Sequence, residues 1–417
     1  MRRRAAIRRL HFLSAWPGLD WSLMCLVAGL TAFGGLMIYS TEIADNLSHG
    51  WQHWLFGGVG LFIAFAIATL RYDRLLQWHW VIYGLTNLSL IAVMVIGSSA
   101  KGAQRWISIG GITIQPSEFA KIGVIITLAA VLHLRPAKTL TGMFRALAIT
   151  SVPWGLVFLQ PDLGTSLAFG AIVMAMLFWS QANPGWLLLL ASPVGSALLF
   201  NVYFPGWLLW SIAIVVTAWT TLPWKIPAAL GALGLCVGSG KLGSVFWNIL
   251  KDYQKDRLIL FLDPEQDPLG GGYHLIQSRI AIGAGELWGR GFSQGTQTQL
   301  NFIPEQHTDF IFSAVGEELG FVGCIAVLIV FWLICLRLVA IALSSKDNFG
   351  SLLAIGVLAM VAFQTVVNIS MTVGLAPITG LPLPWMSYGR SSLLTNFIAL
   401  GLVESVANFR HRKSFQA

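Results

Sequence analysis

Charge is what this chain has least of. Asp, Glu, Lys and Arg make up 11% of its 417 residues against 56% hydrophobic residues, and the mean hydropathy is +0.71. A water-soluble core of ordinary size cannot hide that much apolar surface, so the natural solvent is a bilayer. Cysteine is scarce too: Cys25, Cys236, Cys324 and Cys335 all lie inside apolar runs without CxxC spacing, which argues against a disulfide framework and a cysteine zinc site. The alternating pattern of membrane barrel strands is missing, leaving helices as the spanning element. No internal repeat is evident. The net charge of +8 does not indicate nucleic acid, because basic residues cluster beside apolar segments, as in MRRRAAIRR and RHRK; that is a topology signal.

What is present is a series of apolar windows at about 22–39, 54–70, 80–97, 119–134, 143–158, 163–179, 186–203, 207–223, 227–247, 310–336, 351–373 and 391–409. Each is near the length a helix needs to cross ~30 Å of hydrocarbon. The first has no small-residue cleavage site after it and reads as a retained helix rather than a signal peptide. The expected fold is an all-α polytopic membrane protein, a bundle of about 10–12 transmembrane helices in one domain over 1–417. With the N-terminus inside, Arg2, Arg3, Arg4, Arg8, Arg9, Arg71, Arg74, Arg135, Lys138, Arg145, Lys225, Arg337, Lys346, Arg410, Arg412 and Lys413 fall on the cytoplasmic side, as the positive-inside rule requires. Both termini are then cytoplasmic. Lys241, in GSGKLG, interrupts the window at 227–247, but removing two of the three windows from 186 to 247 leaves this parity unchanged.

Polar residues concentrate in a few outward segments. The loop TEIADNLSHGWQH carries His49 and His53 without an acidic spacing that suggests a metal site, and reads as solvated. In KGAQRWISIGGITIQ, Arg105 beside Trp106 suits an interfacial anchor or a ligand contact. In QPSEFAKI, Pro116 and Ser117 begin a helix whose Glu118 and Lys121 lie three apart on one face, as a structural ion pair, a charged cavity wall, or both. Asp162, in QPDLGTS, stands at another helix mouth, as a cap or a cavity group.

The longest polar stretch, about 251–309, dominates: more than half of the acidic residues lie between Asp252 and Glu318. Two Asp-Pro pairs followed by Gly270-Gly271-Gly272 are turn chemistry that holds carboxylates on a tightly turned segment. YHLIQSRIAIGAGE, from Tyr273 to Glu286, is mildly amphipathic, with Leu275, Ile276, Ile280 and Ile282 set against Gln277, Ser278 and Arg279. It predicts a short interfacial or re-entrant helix.

Together KGAQRW, QPSEFAK, QPDLGTS, DPLGGGYHLIQS, GTQTQLNFIPEQHTDFIF, GEELGFVG and LPLPWMSYGRSSLL resemble the SEDS (shape, elongation, division and sporulation) family over nearly the whole chain. GTQTQL and PEQHTDFIF are nearer its elongation (RodA) branch, whereas Gly285-Glu286-Leu287 resembles the division (FtsW) branch. The resemblance implies a peptidoglycan glycosyltransferase that polymerises lipid II at the outer face of the cytoplasmic membrane, with a class B penicillin-binding protein as partner. The family typically has ten spans, and the interval from Ser166 to Lys251 is long enough for two more. Gly389-Arg390 stands where the family usually has two glycines, so Arg390 is either a phosphate contact or a snorkelling side chain.

Such a reaction needs a base for the attacking sugar hydroxyl and positive charge, or a divalent cation such as Mg or Mn, for the diphosphate leaving group. One base suffices for a single inverting displacement. A water-exposed carboxylate, with a pKa of about 4, is a weak base unless partly buried or strengthened in the transition state. Asp263 and Asp267 are the loop candidates for the base, and the resemblance selects Asp267, with metal ligation as its alternative role. Glu118, Lys121 and Asp162 would line the cavity, with Lys121, Arg105 and Arg279 for the diphosphate. His307 and Asp309 are supporting candidates, Asp309 alternatively as a cap before Phe310, and Glu317 and Glu318 read as structural. A lipid-linked precursor flippase, which predicts broken central helices, and a non-catalytic scaffold for a transpeptidase are the rival readings.

Overall fold

The computed structural model describes residues 18–43, 49–100, 103–109, 112–249, 255, 259–261, 263–268, 270 and 272–410. Arg2, Arg3, Arg4, Arg8, Arg9, Arg412 and Lys413 of the charge distribution, with Lys101, Asp252 and Gly271, lie outside the described residues.

The helices in chain order are α1 Trp21–Glu42, α2 His49–Thr69, α3 Leu75–Ile96, α4 Pro116–Leu134, α5 Leu140–Leu159, α6 Leu163–Trp179, α7 Pro184–Val202, α8 Phe204–Thr221, α9 Lys225–Ile249, α10 Tyr273–Ala284, α11 Thr296–Gln299, α12 Ile311–Leu343, α13 Asn348–Val373 and α14 Arg390–Phe409. Ten of the described helices are long and apolar enough to cross a membrane. Two more apolar helices, α6 of 17 residues and α7 of 19, make up the expected series. Their ends follow local chemistry. Asp20, Asp162, Asn183 and Asp347 each accept a first-turn N–H of the helix that follows, and Pro116 and Pro184 open α4 and α7 where a missing N–H is harmless. Helix α9 runs on through Lys241, because the glycines on either side interrupt an apolar pattern without forbidding helical geometry.

Helices α4 and α14 are central, each with 83% of its span buried, against 28% for α2. Helices α7, α8 and α9 form a peripheral cluster with a core of its own around Leu189, Ile214, Leu222 and Cys236. At one end of the bundle Arg337 reaches both carboxylate oxygens of Asp20, at 3.2 and 3.1 Å, and the Asp20 N–H donates to Glu404 at 2.9 Å. The opposite end gathers the end of α1, the start of α2, the mouths of α4, α6 and α14, and the described part of the long loop.

Two features there were not expected. Three strands, β1 Ser98–Ala100, β2 Ala103–Ile109 and β3 Ile112–Ile114, form an antiparallel sheet in a segment read as a plain loop. Ile109 pairs with Ile112. The other is a break in α12 at Gly320, with φ 65° and ψ −162°. The interrupted ladder is completed by the segment after α10. Arg290 and Gly291 N–H donate to the Glu317 and Glu318 carbonyls, and Phe321 and Val322 N–H donate to those of Glu286 and Leu287. Freed backbone groups in an apolar helix must find such partners. A Cβ on Gly320 would stand 2.3 Å from the Gly289 nitrogen. Gly320→Ala should therefore lower stability by ~3 kcal/mol or more, read as a fall in the thermal midpoint of the purified protein; an unchanged midpoint would refute this account of the break.

Helix α10 forms as expected but buries Leu275, Ser278 and Ala281 rather than the isoleucine side. Ile280 stays 46% exposed. Ser278 can go inside because its hydroxyl lies 2.6 Å from that of Ser313 and donates to the Thr372 carbonyl at 2.7 Å, so the helix is held between α12 and α13.

Candidate functional site

The mouth of α4 holds an ion pair inside the bundle. Lys121 Nζ donates to Glu118 Oε1 at 2.8 Å, and the side chains are 0% and 3% exposed. The i, i+3 spacing puts them on one face, and the apolar surroundings keep them paired. The second carboxylate oxygen, Glu118 Oε2, is buried without a hydrogen-bond partner. Across from it runs α13, antiparallel to α4, and Gly356 of α13 packs on Ile125 of α4. At 1.5 Å per residue, Glu118 is about 10 Å and Gln364 about 12 Å beyond that contact toward the same end. Gln364 is buried, and both its amide atoms lack a partner. The interior at this depth thus carries buried polar atoms without protein partners, which mark a place where a ligand or water would be satisfied. Gln364 escaped the sequence reading because one uncharged amide barely interrupts an apolar window.

Asp162 caps α6, one of the two roles left open by the sequence, and is buried among polar partners. It accepts from Thr165 N at 3.3 Å and Thr165 Oγ1 at 3.0 Å, from Gln115 Nε2 at 3.1 Å and from Ser117 Oγ at 3.4 Å. Arg105 comes from β2 to within 3.8 Å of its carboxylate while donating to the Gln160 and Pro161 carbonyls. The sheet therefore clamps the α5–α6 turn. Gln115, another residue the sequence reading missed, links this group to α14 through its N–H, which donates to Ser391 Oγ at 3.0 Å.

A third group corrects the reading of the first outer loop as merely solvated. His49 and His53 both belong to α2 and His53 is buried. His49 Nδ1 lies 2.5 Å from Glu42 Oε1. Its ring stacks on that of His307, with centroids 5.0 Å apart and planes 4° from parallel. Tyr388 packs on both imidazoles. Arg390 is tied in beside them: it donates to the Tyr388 hydroxyl and to Gln52 Oε1 at 3.2 and 2.7 Å and sits over the Phe56 ring.

The loop carboxylates are exposed. Asp267 Oδ1 accepts from Gly270 N at 3.0 Å, its carbonyl accepts from Gly272 N at 3.0 Å, and Asp263 accepts from Gln266 Nε2 at 3.1 Å. Asp267 and Arg279 thus reach this end on the long loop and α10, outside the buried groups. The cap before α12 is Phe310, with no side-chain cap bond, so the capping reading of Asp309 fails; its carbonyl instead accepts from Asn368 Nδ2 at 2.8 Å. Glu317 is structural as expected, accepting from Gln297 and Thr298 N–H at 2.8 and 2.9 Å and fastening α11.

Comparison with known proteins agrees with this architecture. A family model described as cell cycle protein, FtsW/RodA/SpoVE, matches residues 20–221 and 206–412. The chain is 34% identical to the peptidoglycan glycosyltransferase MrdB of Escherichia coli K12, covering 95% of this chain and 94% of that protein. It is 35% identical to the peptidoglycan glycosyltransferase RodA of Treponema pallidum, over 93% and 97% of the two chains. Among solved structures, a chain of a peptidoglycan synthase complex described as coordinating polymerization and crosslinking is 32% identical with a TM-score of 0.72, covering 95% of this chain and all of that one. The rod shape determining protein RodA of Thermus thermophilus, also solved as an Asp-to-Ala variant, is 27% identical with a TM-score of 0.63, over 95% and 99%. By helix order, by motif and by match over almost its full length, the chain belongs to the FtsW/RodA/SpoVE family.

Proposed function

We propose that this membrane protein is a peptidoglycan glycosyltransferase that polymerises lipid II during cell elongation, with the end carrying the long loop facing out of the cytoplasm. The observation that carries the reading is the buried Glu118–Lys121 pair with a free carboxylate oxygen at the mouth of α4, in a family whose full-length relatives are named for this activity. The sidedness rests on Arg71, Arg74, Arg135, Lys138, Lys225, Lys346 and Arg410, which collect at the opposite end.

Asp267 takes the proton of the attacking sugar hydroxyl as the anomeric bond to the diphosphate breaks. Lys121, Arg105 and Arg279 supply positive charge for the leaving group, and Glu118 and Asp162 hold Lys121 and Arg105 in place. A divalent cation such as Mg or Mn, with Asp267 as the loop carboxylate that would hold it, would supply neutralising charge to the diphosphate. The class B penicillin-binding protein partner is proposed from the synthase complex among the structural neighbours.

A flippase reading would use the break in α12 as a substrate site, yet the backbone of 286–291 already occupies it. The test is polymerisation of fluorescent lipid II by the purified protein with a transpeptidase partner and divalent cation. Glycan chains are expected; lipid II transfer across vesicles without polymer would overturn the assignment.

A further inference from the structure

Glu42, His49 and His307 form the one group among the described residues in which three metal-ligating side chains converge, each offering an atom within 4.8 Å of the other two. We infer that they constitute a divalent transition-metal site, separate from the Glu118–Lys121 and Asp162–Arg105 groups.

Glu42 closes α1 and already has a task, since its Oε2 accepts the His49 and Gly50 N–H groups at 3.0 and 3.2 Å and so caps α2. Capping does not require the other oxygen to meet the His49 ring at 2.5 Å, nor a second imidazole stacked 5.0 Å away. Two imidazoles and a carboxylate are the donor set that binds Zn2+ and its neighbours in preference to Mg2+ or Ca2+. A four-coordinate ion holds its donors about 3.3 Å apart, so the stacked His49 and His307 rings would turn toward each other to bring the three donors onto one centre.

The framework around the group is fixed by contacts outside it. Gln299 and Gln306 donate to the Ser40 and Thr41 carbonyls, both at 2.9 Å, which holds the His307 segment over the end of α1. Tyr388 N–H donates to the His307 carbonyl at 2.9 Å, and the Tyr388 ring stands 4.6 Å from that of His49. The nearby cation, Arg390, is engaged with Gln52, Tyr388 and Phe56. Such outer contacts orient metal ligands. Glu42 is buried while the His49 side chain is 29% exposed, which provides an entry path. Three protein donors leave a coordination position open for water or an anionic oxygen, and the ion would clasp the α1–α2 turn to the segment that leads into α12.

The experiment uses the full-length protein, purified in detergent and stripped with a chelator, then titrated with Zn2+ by calorimetry and with Co2+ by visible absorption. One equivalent should bind, with the bands of a four- or five-coordinate Co2+ centre and a rise in thermal midpoint with Zn2+. His49→Ala and His307→Ala should each weaken binding at least about 10-fold, and the double variant should abolish it. Glu42→Gln, which keeps an acceptor for the cap, should weaken it likewise and serves if a histidine variant is not monodisperse. His274→Ala, at the same end, should bind as the wild type does. No binding by the wild type, or equal stoichiometry and affinity in the double variant, would overturn the assignment.

Discussion

Asp267→Ala is expected to reduce lipid II polymerisation by about 10²–10⁴-fold, the usual contribution of a positioned general base, while leaving folding and partner binding intact. The separation follows from where the residue stands. Asp267 is exposed on a turn, and its side chain accepts the Gly270 N–H. In alanine that N–H turns to water at a cost of about 0.5 kcal/mol or less, too little to unfold the protein. The thermal midpoint and the yield of complex with the transpeptidase should therefore match the wild type while glycan synthesis fails. Asp263→Ala, four residues away on the same turn, should retain activity within about tenfold, because it loses loop charge and not the base. Full polymerase activity in purified Asp267→Ala protein would remove it from the mechanism, and selective failure of Asp263→Ala would transfer the role there.

The parts of this fold legible in the sequence are those where lipid leaves the chain no choice. Apolar windows became helices because a spanning backbone must satisfy itself, and even the unclear stretch from 186 to 247 resolved into α7, α8 and α9. The Glu118–Lys121 pair was legible because charge in an apolar run stands out and i, i+3 spacing fixes its geometry. What escaped was set by tertiary partners. The buried side of α10 is chosen by Ser313 and Thr372, which satisfy Ser278, and no periodicity within the helix records that. The break at Gly320 follows from the pairing of 286–291 with 317–322. Glu42, His49 and His307 are joined by the return of a distant loop over the α1–α2 turn, so local spacing was the wrong place to seek a cluster.

Glu118 and Lys121 should show an effect of comparable size that divides into fold and function. Each single alanine leaves its partner's charge buried and uncompensated, which costs about 3–5 kcal/mol, so Glu118→Ala and Lys121→Ala should lose both stability and polymerisation. That result alone fits a structural ion pair as well as a cavity wall. The double variant Glu118→Gln with Lys121→Met separates the two, because removing both charges and keeping the volume is close to neutral for a buried pair. Its thermal midpoint should return to near that of the wild type. Its polymerisation should stay depressed by about 100-fold or more, since the positive charge for the diphosphate and the carboxylate that positions it are both gone. Gln364→Ala should lower activity less than the double variant, because its amide lacks protein partners and carries no charge. Wild-type rates in the stable double variant would reduce the α4 pair to a structural role and leave the loop to carry the chemistry.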